Sequence, residues 1–192
     1  MPVPLIWGIT VAFGFLAWGV FAAQYIWPTI SRRERAQALR PILVLHGFRY
    51  IGLAVLIPGV VSSGLPATLF AQELAWGDLT AATLALIALA TLRTRWSGVL
   101  IWIFNIFGTA DLLNAFYQGN RISLADAPGS LGAGYFIPAF GVPLLLVTHV
   151  LVFMLLMRRQ ASRVVELSSV AGGKDGSLVD KRQQGVVGIY GA

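Results

Sequence analysis

At 192 residues, 57% of them hydrophobic and only 11% charged, the chain is excluded from the ordinary soluble globular class. A formal charge of +6 suggests nucleic acid at first, but the basic residues gather at the ends of apolar stretches, which reports topology rather than a partner. The lack of cysteine excludes disulfides, thiol redox chemistry, Fe–S ligation and Cys-type zinc sites.

In chain order, the first apolar run is Pro4–Trp27, closed by Trp27-Pro28. It is expected to be a transmembrane helix rather than a signal peptide, because Met1–Gly8 has no basic residue and the run is too long. Arg32, Arg33, Arg35 and Arg40 follow, and Pro41 is expected in the first turn of a second span, Ile42–Ser62. A third span falls within Pro66–Leu92. It is either one long helix or an interfacial helix to Trp76 followed by a shorter span capped by Asp78. Ala81, Ala85 and Ala88 form a small-residue stripe suited to close helix packing. Arg93-Thr94-Arg95-Trp96 reads as a tight turn before the fourth span, Ser97–Tyr117, and Gly119–Ala133 as a polar loop. The fifth span lies within Gly134–Met157, with Pro138 and Pro143 near its start, and from Gln160 the chain turns polar and glycine-rich.

The expected fold is therefore all-α: a polytopic five-helix bundle over 1–159 (spans about 4–27, 42–62, 70–92, 97–117 and 136–157) and a flexible cytoplasmic tail over 160–192. Arg32 to Arg40, Arg93, Arg95, Arg158 and Arg159 lie at one end of these spans and only Arg121 at the other. That distribution puts the N-terminus outside and the C-terminus in the cytoplasm of the cytoplasmic membrane.

Both histidines of the chain, His46 and His149, fall inside spans, where an ionisable side chain is costly and points to a functional site, the plain alternative being imidazoles hydrogen-bonded across the bundle with no ligand. Counted by helix rise from the cytoplasmic ends, His46 lies roughly 6 Å deep, Arg49 roughly 10 Å, and Asn105 and His149 roughly 12 Å. At 100° per residue, His46, Arg49 and Tyr50 share one face, which must point inward. This group is the expected binding site. For Arg49 alone, the plain alternative is snorkelling to the cytoplasmic interface. A second group, Asp111 and Asn114 with Gln118 beyond, lies roughly 9 Å farther out and is expected to be separate from the histidines. Glu73 and Asp78 are expected at an outer boundary, facing water or capping a helix.

Three functions are open on this evidence. The first is a non-catalytic binding or accessory protein of a larger membrane assembly. It would hold haem, another tetrapyrrole or a lipid through His46 and His149, with Arg49 clamping an anionic group and Tyr50 and Asn105 in support. Its small-residue helix faces and its tail would dock membrane-protein partners, and nucleic acid is not among the partners expected. The second is a small proton-coupled transporter or channel with Asp111 and Asn114 on the path. An intramembrane lipid-modifying enzyme is the third, although no Walker loop, nucleophile elbow, HExxH or dinucleotide fingerprint is present. No lysine lies within a span, which excludes a retinal Schiff base.

Overall fold

The computed structural model describes residues 1–62, 68–124 and 127–158, so the expected tail at 160–192 lies outside the described residues. Five helices are long and apolar enough to cross a membrane: α1 (Val3–Ile30), α2 (Arg35–Leu56), α3 (Leu69–Ala90), α4 (Ser97–Arg121) and α5 (Ile137–Arg158). No strand forms among the described residues beyond an isolated bridge between Pro58 and Val61.

The helices depart from α geometry where prolines and the site require it. In α1, Ala22–Ile26 winds as a π-turn just before Pro28. Proline has no N–H to donate, and its ring collides with the carbonyl four residues back, so the chain widens there. The same device opens α5, where Ile137–Gly141 is a π-turn around Pro138. Pro143 then leaves the carbonyl of Ala139 without its usual donor. That carbonyl faces Gly14 of α1, where an added Cβ would come within 2.6 Å of it. The lack of a side chain at Gly14 lets α1 approach α5, and most of the rest of α1 is exposed.

Several span boundaries differ from expectation, most of all in α2. Helix α2 begins at Arg35, seven residues before Ile42, so Pro41 stands inside the helix rather than in its first turn. It ends at Leu56, well before Ser62, and Pro58-Gly59 then turns the chain. Helix α3 is continuous from Leu69, with the Thr68 hydroxyl accepting from Ala71 N at 3.1 Å, so Asp78 is not a cap. Ala71, Ala75, Ala81, Ala82, Ala85 and Ala88 are all buried, and their small size seats α3 between α2 and α4.

One end of the bundle is closed by loops. Ala133 N donates to Val60 O and Ser62 N to Ser130 O, both at 2.9 Å, while Val61, Phe70, Leu124 and Leu131 pack into an apolar plug. The expected polar loop after α4 is therefore partly core.

The α2 helix changes pitch at its middle. It is α-helical to Gly47 and then 3₁₀ from Phe48 to Leu56, an unusually long run for that geometry. With three residues per turn, Arg49, Gly52 and Val55 stack in one line, and all three are buried. That line faces α3 and sets the site.

Candidate functional site

The centre of the bundle is polar. His46, Asn105, Thr148 and His149 are completely or almost completely buried, beside Arg49 and Asp78. They come from four helices and form two joined groups.

The first group is built on Arg49. Its Nε donates to Asp78 Oδ1 of α3 at 2.8 Å, its Nη2 to Asp111 Oδ2 of α4 at 2.5 Å, and its Nη1 to the carbonyl of Gly108 at 3.2 Å. Nη2 also lies 2.8 Å from Asp78 Oδ1. The planar fork of guanidinium suits this double engagement, which an ammonium group could not reproduce. The Arg49 side chain is 0% exposed, so it does not snorkel. Nε and Nη2 are engaged by carboxylates and Nη1 by a backbone carbonyl, so the fork is turned to the protein's own acceptors rather than to a propionate or a lipid phosphate.

The second group is the imidazole pair. His46 and His149 lie with ring centroids 4.3 Å apart, and Phe104 packs 5.0 and 5.2 Å from the two rings. The Thr148 hydroxyl sits 3.0 Å from Leu144 O and 2.9 Å from Leu145 O, which take its one hydrogen, so His46 Nε2 donates to it at 3.0 Å. Asn105 Nδ2 donates to His149 O at 3.3 Å, which turns Asn105 Oδ1 toward His149 Nδ1 at 2.8 Å and makes Nδ1 the donor. His46 Nδ1 and His149 Nε2 are buried and without a hydrogen-bond partner among the described residues.

Three glycines make room for these contacts. A Cβ on Gly52 would collide with the Asp78 carboxylate, and one on Gly77 with that of Asp111. On Gly108 a Cβ would lie 2.7 Å from His149 Nε2 and 3.0 Å from Arg49 Nη1. The bare nitrogen of His149 and the guanidinium therefore flank the same notch, which joins the two groups.

Of the residues expected from sequence, His46, His149, Arg49 and Asn105 are together. Asp111, expected to be separate, is joined to them by Arg49. Tyr50 and Asp78 are not where the sequence placed them. Tyr50 is 51% exposed, because a 3₁₀ turn rotates it 120° from Arg49 and out of the bundle. Asn114 is exposed and borders a small cleft with Glu73, Asp111 and Gln118, and Gln118 Nε2 donates to Glu73 Oε2 at 3.1 Å. Asp78 is buried against Arg49 rather than placed at a boundary. Sequence reasoning missed Thr148 and the three glycines; the Gly77-Asp78 pair inside an apolar helix was the available signal.

A tetrapyrrole held between the imidazoles does not fit. Two nitrogens each about 2.0 Å from one metal would put the ring centroids roughly 6 Å apart, whereas these rings touch at 4.3 Å with Phe104 against both. No group of three metal-ligating side chains occurs among the described residues.

No curated protein and no solved structure matches the chain. One family model does, over residues 6–157, described as a domain of unknown function (DUF8737).

Proposed function

The chain belongs to the DUF8737 family, and we propose that it is a proton-coupled membrane carrier whose proton-exchanging centre is the Arg49 array with its imidazole pair. The observation that carries this reading is the charge count of the buried cluster. Two carboxylates from different helices share one guanidinium, so the ionised trio sums to −1, and one proton brings it to neutrality. Two imidazoles with unpartnered nitrogens stand beside it as further acceptors. A purely structural clasp has no need of a second carboxylate on one guanidinium or of unpartnered buried nitrogens, which carry a desolvation cost.

The path is legible at one end. Asp111 keeps 15% of its side chain exposed and borders the cleft of Asn114, Gln118 and Glu73. Protons entering by that cleft would meet Asp111, then Arg49 and Asp78, and the imidazoles across the Gly108 notch. With the arginine-rich ends in the cytoplasm, the cleft opens to the outside of the cytoplasmic membrane.

The test is proton uptake by proteoliposomes under an imposed potassium diffusion potential, read with an entrapped pH dye. Wild type is expected to take up protons above empty liposomes, and Asp111→Asn to reduce uptake to that background. Equal uptake by wild type and Asp111→Asn would remove the array from the function.

A further inference from the structure

A lateral groove of about 380 Å³ runs between α2 and α5, within the size range of small-molecule sites. One wall is the 3₁₀ segment Phe48–Leu56 and the other includes the π-turn Ile137–Gly141, so both helices abandon α geometry where they face each other across it. Such departures cluster at functional sites. The lining is apolar, and Ile51, Phe136 and Phe140 on it are more than half exposed. Among the described residues that line it, Arg49 and Asp78 alone are charged.

We infer that this groove admits a neutral, hydroxyl-headed amphiphile from the bilayer, with its chain along the apolar walls and its hydroxyl on Asp78. The head chemistry follows from which Asp78 oxygen Arg49 engages. Asp78 Oδ1 takes both Arg49 contacts, while Oδ2 lies against the bare Cα of Gly52, and both residues line the groove. The groove therefore offers an acceptor to a donor head. Two carboxylates against one guanidinium repel a phosphate or carboxylate head, so ordinary anionic lipids are disfavoured. An alcohol or quinol hydroxyl carries no such penalty. This inference deepens the carrier reading by naming the class of its ligand, but it stands on the groove and Asp78 alone.

The test is photolabelling in phosphatidylcholine nanodiscs with a long-chain alcohol bearing a mid-chain diazirine, alongside the carboxylic acid of the same chain. The alcohol is expected to label peptides of both walls, and the acid to label them far less. Gly141 lines the groove with no atom closer than 4.0 Å to an added Cβ, so Gly141→Phe fills it and should abolish labelling without unfolding the protein. Asp78→Asn should weaken labelling roughly tenfold, the loss of a hydrogen bond to a charged acceptor. If Asp78→Asn fails to fold, the alcohol–acid contrast and Gly141→Phe decide. Equal labelling by acid and alcohol, or undiminished labelling of Gly141→Phe, overturns the inference. Labelling retained in an Asp111→Asn variant that still transports protons would sink the carrier reading alone; lost labelling with intact wild-type flux would sink this one alone.

Discussion

Arg49 is the residue on which the interior depends. It holds Asp78 and Asp111 together in the interior of the bundle, and removing it leaves two carboxylates with no counter-charge. Arg49→Ala is expected to cost about 3–5 kcal/mol, the usual penalty for breaking a buried pair, measured as a lowered unfolding midpoint in detergent. Arg49→Lys should recover little of it, because a point ammonium cannot span both carboxylates. The glycines supply a sharper contrast. Gly52→Ala, Gly77→Ala and Gly108→Ala each drive a methyl group into the cluster, whereas Gly8 and Gly19 have nothing within 4 Å of an added Cβ. Gly8→Ala and Gly19→Ala should leave the midpoint unchanged or raise it slightly, and the site glycines should lower it. Equal behaviour of the two sets would show that the cluster tolerates displacement. His46, His149, Arg49 and Asn105 were legible because unusual residues in apolar runs are visible without coordinates. Thr148 and the glycines were not, since their roles arise only from neighbours on other helices.

At the scale of the element, the pitch of α2 decides which residues enter the bundle. Read with 3.6 residues per turn, Tyr50 accompanies Arg49 inward; wound as 3₁₀ from Phe48, the inward line becomes Arg49, Gly52 and Val55. Val55→Ala should therefore cost about 1–2 kcal/mol for lost burial, and Tyr50→Ala close to nothing. Thermal unfolding of the pair checks it, and a larger loss for Tyr50→Ala would restore the α-helical register. The sequence has no proline or bulge signal at this point to announce the change. The pitch follows from tertiary demand, because a three-residue repeat aligns Gly52 with Asp78 and places Arg49 between α3 and α4. In α3, by contrast, the alanine stripe was readable in advance, since small residues at helical spacing need only a neighbour to pack against.

For the molecule as a whole, orientation is a question of charge. The distribution of charge leads us to expect the ends carrying Arg32, Arg33, Arg35, Arg93 and Arg95 on one side, and Arg121 on the other. The chain has no cysteine, so single introduced cysteines report cleanly. In intact cells a membrane-impermeant maleimide should label Ser62→Cys and Asn120→Cys directly, and Thr94→Cys only after lysis; the reverse pattern would invert the topology. The sequence alone determined that the chain is built of five apolar helices, because hydrocarbon requires about twenty apolar residues per crossing and composition records that requirement. It determined as well that His46, Arg49, Asn105 and His149 must turn from lipid. Only the tertiary structure decided that Arg49 joins the inner polar group to Asp111, and that Asp78 belongs with them. Helix rise gives each residue a depth along its own axis, whereas a long arginine side chain and three missing Cβ atoms determine which depths can meet across the bundle.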